Sequence, residues 1–309
     1  MRTARSVLTP DALEMLHTVA VAGSFAAAAR KLGLVPSALT YRVRQIEEAL
    51  DVLLFDRSSR QARPTEAGAE LLRQGEQLLQ GLDAIANRVK RVATGWEPQF
   101  TIAVDSLIAQ SVMLELAEAF FAQHSPTQLR IRVEVLSGTF DALVSGRADL
   151  ALGVGFEAGS HHGIRFKPLG SVSMVFAVAP HHELAKTTVP LDDELVARYR
   201  VVAVADTTQR GPAQTVGILG GQDVFTVASM SVKLDAQLRG LGIGLLPEPL
   251  ARPYIETGRL VACLTQRPGR EERLQYAWRH HRRPGRALTW WLERLESPAT
   301  RAALLHAAN

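Results

Sequence analysis

Gly23-Ser24-Phe25-Ala26-Ala27-Ala28-Ala29-Arg30-Lys31-Leu32-Gly33 and, directly after it, Leu34-Val35-Pro36-Ser37-Ala38-Leu39-Thr40-Tyr41-Arg42-Val43-Arg44-Gln45-Ile46 decide the fold of this 309-residue chain. Ser24 is an N-cap residue type, and a short alanine-rich helix runs from it to Leu32 before Gly33 stops it. Pro36 then stands at a first helical position, where its missing N–H costs nothing. From there Leu39, Val43, Ile46 and Leu50 recur at i, i+4, i+7 and i+11 and predict a buried stripe over Pro36 to Leu50. Two helices so closely joined have helix-turn-helix spacing. The face opposite the stripe carries Ser37, Thr40, Tyr41, Arg42, Arg44 and Gln45. Those side chains are the types that reach base edges and phosphates from a helix in the major groove.

Outward on the N-terminal side, Thr9 as N-cap and Pro10 at the first helical position open another helix that Gly23 ends, with Leu13, Leu16 and Ala20 on one face. On the C-terminal side Leu53-Leu54-Phe55 is expected to plug the core. Arg57, Arg60 and Arg63 follow within seven residues, which suits a wing lying along the phosphate backbone. Ser24 and Pro36 complete the set of residues expected to face DNA.

Thr65 to Thr94 is one long helix signature without proline. Leu71, Leu78, Ile85 and Val92 recur every seven residues, with Gly75, Leu82 and Val89 four later, so the seam is expected to pair with a second copy of the chain. At 1.5 Å per residue the helix would be ~45 Å long and would hold two heads apart on one side of a duplex. Gly68, Gly75 and Gly81 weaken helix propensity and predict close approaches or a bend. Gly95-Trp96-Glu97-Pro98 breaks the helix. The expected organisation is a DNA-binding domain over 1–64, a dimerisation helix and hinge over 65–97, and a third domain over 98–309.

Beyond the hinge, strands and helices alternate. Phe100 to Asp105 reads as a buried strand, Ser111 to Ala122 as a helix, Leu129 to Leu136 as a strand, Phe140 to Ser145 as a short helix and Leu150 to Gly155 as a strand. This βαβαβ order implies a parallel sheet with a ligand at the strand C-terminal ends. A second set follows in Ser173–Ala179, Arg200–Ala205, Val224–Ala228, the helix Val232–Arg239 and the strand from Ile243, so two lobes with a cleft between them are expected.

Charge agrees with this division. Residues 1–64 hold nine Lys/Arg against six Asp/Glu, whereas 95–265 hold thirteen against seventeen, so a polyanion would be met by the N-terminal part and repelled by most of the rest. The basic run Arg279 to Arg286 beside Pro284-Gly285 reads better as a solvated loop than as a second DNA contact. The N-terminus has no apolar stretch of the kind that directs export, and no segment is long and apolar enough to span a membrane, so a cytoplasmic protein with no membrane partner is expected. The one cysteine, Cys263, lies in an apolar run and is expected to fill a core site. His161-His162, His181-His182 and His280-His281 are adjacent pairs that share no face of a helix or strand, so no metal site is expected, and no cofactor either. Gly240-Leu241-Gly242-Ile243-Gly244 follows a helix and enters a strand, the reverse of a phosphate-binding loop.

Residues 9 to 94 resemble the winged helix-turn-helix and linker helix of LysR-type transcriptional regulators. The likeness rests on Gly23-Ser24-Phe25 with its alanines, Pro36 to Leu50, Leu54-Phe55-Asp56-Arg57 and Pro64-Thr65-Glu66-Ala67-Gly68. Two positions depart from the family habit of Ser-Gln before the recognition helix and Arg in its first turn: Val35-Pro36 and Tyr41 stand there. The family's usual base contacts therefore do not carry over at these places. The resemblance extends through Ser145-Gly146-Arg147-Ala148-Asp149, His181-His182-Glu183-Leu184 and Gly240 to Pro247. It implies an all-α winged helix-turn-helix with a long linker helix, then an α/β domain of two lobes like that of periplasmic solute-binding proteins. It implies a crossover near Val154 to Glu157 and a return near Leu260 to Leu264, giving one lobe over 98–157 and 264–309 and another over 158–263. Gly95-Trp96-Glu97 and Val204-Ala205-Asp206-Thr207 are similar to members that answer small aromatic compounds.

In such a cleft Ser106 and Thr139 would offer hydroxyls beside helix N-terminal amides to a carboxylate or phenolate, and Asp206, Thr207, Thr208 and Ser229 hold the equivalent places in the other lobe. Each hydroxyl equally suits a plain helix cap. Leu107, Phe140, Phe156 and Met230 would supply apolar contacts. A regulator of transcription is thus expected, binding promoter DNA and a small organic effector and working with RNA polymerase as a homodimer or homotetramer. An enzyme would need a nucleophile set, a metal spacing or a phosphate loop, and the sequence has none. A transport component would not carry the DNA-binding head.

Overall fold

Thr9 and Ser24 open two helices as their residue types predict. The structure, a computed structural model, describes residues 3–56, 61–156, 161–210, 212–267, 269–280 and 283–306, and it divides into the units Met1–Ala86 and Asn87–Asn309. After helix α1 (Ala4–Val7), Thr9 Oγ1 accepts the amide of Ala12 at the head of α2 (Pro10–Ala22). Ser24 Oγ accepts that of Ala27 at the head of α3 (Phe25–Lys31). Gly23, at φ 66°, takes the left-handed conformation that ends α2. Helix α4 (Pro36–Leu50) buries Leu39, Val43 and Ile46 as its period predicts, with Leu50 half-buried at the end of the stripe. The buried face of α2 is wider than expected, since Met15 and Val19 join Leu13 and Leu16.

Leu54 and Phe55 enter the head core, and Phe55 meets Phe25 edge-on at 5.7 Å. Leu53 does not join them; it is 65% exposed. The cause is Glu47, a buried carboxylate that accepts the amides of Leu54 at 2.9 Å and Phe55 at 3.4 Å and so fixes how the chain leaves the helix. Strands β1 (Phe55–Asp56) and β2 (Arg63–Pro64) then pair antiparallel as a small wing. Arg57 and Arg60, expected on that wing, lie outside the described residues.

Thr65 caps α5 (Glu66–Thr94) by accepting the amide of Gly68. A Cβ on Gly68 would stand 2.0 Å from the Leu54 carbonyl oxygen, and one on Gly75 would stand 2.9 Å from Leu13, so both glycines allow the helix to lie against the head. Gly81 has open space around it. Leu71 is half-buried against the head core of its own chain, together with Leu72. Further along, Leu78, Leu82, Ile85, Val89 and Val92 are exposed.

In the second unit β3 (Gln99–Asp105), α6 (Gln110–Phe121), β4 (Gln128–Glu134), α7 (Ser137–Val144) and β5 (Leu150–Gly155) form the expected parallel unit, with β3 between β4 and β5. Phe100, Ile102 and Val104 of β3 point to one face, where α6 and the C-terminal helices α11 (Arg286–Glu296) and α12 (Pro298–His306) cover them. Ala103 points to the other face, under Ala142 and Leu143 of α7. A sheet covered on both faces explains why β3 is apolar at consecutive positions.

The crossover differs from expectation. Strand β6 (Ile164–Val178) is fifteen residues long. Its residues up to Ser173 pair with β11 (Glu271–Arg279), which itself pairs with β5, and from Met174 it pairs with β9 (Gly244–Pro247) and then β10 (Val261–Ala262). Residues 164–173 therefore belong to the sheet of the first lobe, and the chain passes between lobes at Ser173–Met174, beyond Val154 to Glu157. The return also comes later than Leu260 to Leu264, because Leu191 still exchanges backbone bonds with Leu264 and Gln266. In the second lobe β7 (Val201–Val204) pairs in parallel with β8 (Val224–Val227) and bridges to Ile243 beside β9. Helices α8 (Asp193–Ala197), α9 (Met230–Leu238) and α10 (Glu248–Glu256) complete it.

Candidate functional site

Two surfaces carry groups that the packing leaves over. On the head, the α4 stripe faces the core and the opposite face presents Pro36, Ser37, Tyr41, Arg42 and Arg44 to solvent, with Thr40 half-buried. Tyr41 is 64% exposed, more than any packing role requires. Pro36 opens the helix without a side-chain cap, and since Ala38 and Leu39 donate their amides to the Val35 carbonyl, the Ser37 amide is the first-turn donor left at the positive end of α4. Ser24 is committed as the cap of α3. Arg63 on the wing is exposed and forks onto the Gln61 amide oxygen at 2.9 and 3.1 Å.

In the second unit a cavity of about 790 Å³ opens between the lobes at the C-terminal ends of β3 and β5. Of the residues expected there, Ser106, Leu107, Phe140, Phe156 and Met230 line it. Thr139, Asp206, Thr207, Thr208 and Ser229 do not. Thr139 is fully buried, and its hydroxyl points to the Asp105 carboxylate at 3.3 Å. Ser229 caps α9 through the amide of Val232. The hydroxyls at these two positions satisfy protein groups, as caps and buried donors do.

Asp206 and Thr207 are held in the other lobe. The Asp206 carboxylate accepts the Ser137 hydroxyl and the amide of Gly138 at the start of α7, and also the amides of Thr208 and Gln214. Thr207 donates to Glu134 at 2.6 Å and accepts the amide of Val135 at 2.9 Å. A protein carboxylate thus occupies the helix N-terminus that was expected to receive an effector. Glu134 and Asp141 around this contact are paired in turn with Arg147, itself nearly buried.

Gly95-Trp96-Glu97 also has a packing role. Trp96 meets Phe120 edge-on and lies under the Arg286 guanidinium, while the buried Glu97 carboxylate accepts the amide of Ala287 at 3.0 Å and caps α11. Cys263 is half-buried among the apolar side chains of the second lobe, and burial raises its thiol pKa.

Two cavity groups have no counterpart among the expected residues. Asp105, the last residue of β3, is buried and accepts the amides of Leu107 at 2.9 Å and Leu136 at 3.1 Å as well as the Thr139 hydroxyl. Burial outweighs these bonds and pushes its carboxyl up to about 7. Lys233, on the first turn of α9, is buried, and burial lowers its ammonium to about 8. The sequence signal for Lys233 is its spacing: Lys233, Leu234, Ala236 and Gln237 share the buried face of α9. For Asp105 it is an acid that closes the apolar run Ile102-Ala103-Val104.

A winged helix-turn-helix unit and a two-lobed α/β unit with a cleft, in one chain, define DNA-binding transcription regulators that carry an effector-binding domain. Residues 10–69 match the family "Bacterial regulatory helix-turn-helix protein, lysR family", and residues 93–298 match "LysR substrate binding domain". The chain belongs to the LysR family of transcriptional regulators, which are not enzymes. It is similar to the uncharacterized HTH-type transcriptional regulator YeeY of Escherichia coli (strain K12), with 36% identity over 92% of each chain. The probable HTH-type transcriptional regulator YhaJ of the same strain is 35% identical over 93% of this chain and 96% of its own. Full-length CbnR, solved in complex with its target DNA, has the same fold, with a TM-score of 0.60 and 16% identity over 93% of this chain and 99% of that one.

Proposed function

We propose that this regulator reads promoter DNA with the exposed face of α4 and is controlled by a small organic effector carrying an anionic group, a carboxylate on an aromatic or other apolar body, bound between the lobes. The observation that carries the reading is the cavity itself: an apolar wall from Leu107, Phe140, Met230 and Leu245 beside the buried ionisable groups Asp105 and Lys233. In this reading residues 1–64 bind DNA, 65–97 join two copies and position their heads, and 98–309 sense the effector. Ser37, Thr40, Tyr41, Arg42 and Arg44 meet bases and phosphates, with Ser24, Pro36, Arg57, Arg60 and Arg63 on the backbone around them. The exposed run Leu78, Leu82, Ile85, Val89 and Val92 supports pairing through α5; Leu71, packed on its own head, takes the smaller share. The assembly is a homodimer or homotetramer that meets RNA polymerase at the promoter in the cytoplasm. Among the described residues no helix is long and apolar enough to cross a membrane.

Effector binding shifts the population of lobe arrangements and, through the oligomer, the spacing or bending of bound DNA. A thermal-shift screen of small metabolites, followed by footprints of the region beside this protein's gene with and without each hit, tests the reading. It expects a hit that raises the unfolding temperature and changes the footprint. Hits that stabilise the protein and leave every footprint unchanged would count against effector control.

A further inference from the structure

Lys233 combines three properties that conflict unless something else is bound. The residue is only 6% exposed, it lies in the wall of the inter-lobe cavity, and no carboxylate or carbonyl pairs with its ammonium among the described residues. Buried ammonium groups are ordinarily paired, because an unpaired one carries its full desolvation cost. The same turn of α9 adds the positive end of a nine-residue helix, and Met230, its first residue, also faces the cavity. The other cations of the cavity are differently placed: Arg270 pairs with Glu272, and Arg273 is exposed.

Resting on the effector reading above, we propose that Lys233 is the anion-binding group of the cleft and takes the single carboxylate of a small organic monoacid with an apolar body. One buried cation matches one negative charge. Glu271 and, where ionised, Asp105 stand in the same cavity wall and disfavour a dianion such as a phosphate ester or a dicarboxylate. Leu107, Phe140, Met174, Met230 and Leu245 supply apolar contacts for the rest of the molecule. The anion site is therefore in the second lobe, on α9, because Asp206 already fills the α7 N-terminus of the first. The lowered ammonium pKa agrees with a cation that lacks a counter-charge: a bound carboxylate would raise it again.

Methyl-labelled methionine in the full-length protein supplies the test, because Met174 and Met230 lie in the cavity wall. Benzoate and butyrate, with benzamide and butyramide as their neutral counterparts, are titrated into the parent, Lys233→Met, Lys233→Gln and Lys233→Arg proteins. The expected result is that at least one carboxylate shifts the Met174 and Met230 methyls in the parent and that its amide binds about ten-fold or more weakly. Lys233→Met and Lys233→Gln should weaken the carboxylate about ten- to a hundred-fold, and Lys233→Arg should retain part of the binding. Lys233→Met should also unfold at a higher temperature than the parent without ligand, since it removes an unpaired buried charge. The proposal is overturned if the variants bind the carboxylate like the parent, if the amide binds as tightly as the acid, or if no carboxylate shifts the cavity methyls. The two failures separate: amides or other neutral metabolites that shift Met174 and Met230 would leave the cleft as an effector site without a lysine anchor, whereas silence from every compound would remove the effector reading too.

Discussion

The Asp206 carboxylate of the second lobe accepts the amide of Gly138, at the first turn of α7 in the first lobe, at 3.1 Å. A negative group at a helix N-terminus is favourable both by hydrogen bonding and by the helix dipole, so this is an internal ligand that ties the lobes together. Gly138 is needed for it: a Cβ there would stand 1.9 Å from Thr207 Oγ1 and 2.9 Å from the Thr207 carbonyl carbon.

Asp206→Ala and Gly138→Ala should therefore both loosen the inter-lobe contact. Asp206→Ala leaves the Ser137 hydroxyl and the amides of Thr208 and Gln214 without their acceptor, and the Gly138 amide with the Val135 carbonyl alone, and should cost about 1–3 kcal/mol in urea unfolding. Amide exchange at Thr208 and Gln214 should speed up in both variants. Exchange rates equal to those of the parent would mean that the contact does not hold the lobes.

Asp105 makes a prediction in pH. Burial pushes its folded carboxyl up to about 7, above the usual 3.8, so the folded state binds more protons than the unfolded one between those values. Its contribution is fully present at acid pH and is lost as pH rises through about 7. The unfolding free-energy difference between parent and Asp105→Asn should change between about pH 4 and about pH 7 and be constant above. Parallel pH profiles would mean that folding leaves the Asp105 carboxyl unshifted.

The head was legible because its determinants are local. Thr9, Ser24 and Thr65 cap the amides three residues on, Gly23 needs a left-handed turn, and the α4 stripe follows the helical period. The parallel unit from Phe100 to Gly155 was legible for the same reason. The first half of β6 was not: Pro168 and Gly170 interrupt it, and it exists because β11, a hundred residues later, pairs with it. Asp206, Thr207 and Thr139 have the residue types of ligand donors and the positions of strand ends and helix starts, yet protein groups already satisfy them. Which partner satisfies a polar group is a long-range fact, as with Thr207 and Glu134. Lys233 shares the buried face of α9 with Leu234, Ala236 and Gln237, so its spacing rather than its residue type marks it as inward-facing.

The exposed α5 stripe predicts an assembly defect. Replacing Leu78 and Ile85, 52% and 58% exposed, by lysine should place like charges against a partner helix and shift the protein toward monomers in sedimentation, with DNA affinity falling alongside. The fold of each chain should survive, because neither side chain is buried in it. A double variant that sediments like the parent would move the interface elsewhere.

The most direct test of the account is a genome-wide binding-site selection with purified parent, Thr40→Ala and Arg42→Ala proteins. The parent should enrich a discrete two-fold-symmetric sequence, and each variant should lose about 1–3 kcal/mol of specific affinity while non-specific binding changes little. Variants that enrich the same sites with the same affinity would contradict the assignment of the α4 face as the surface that reads DNA.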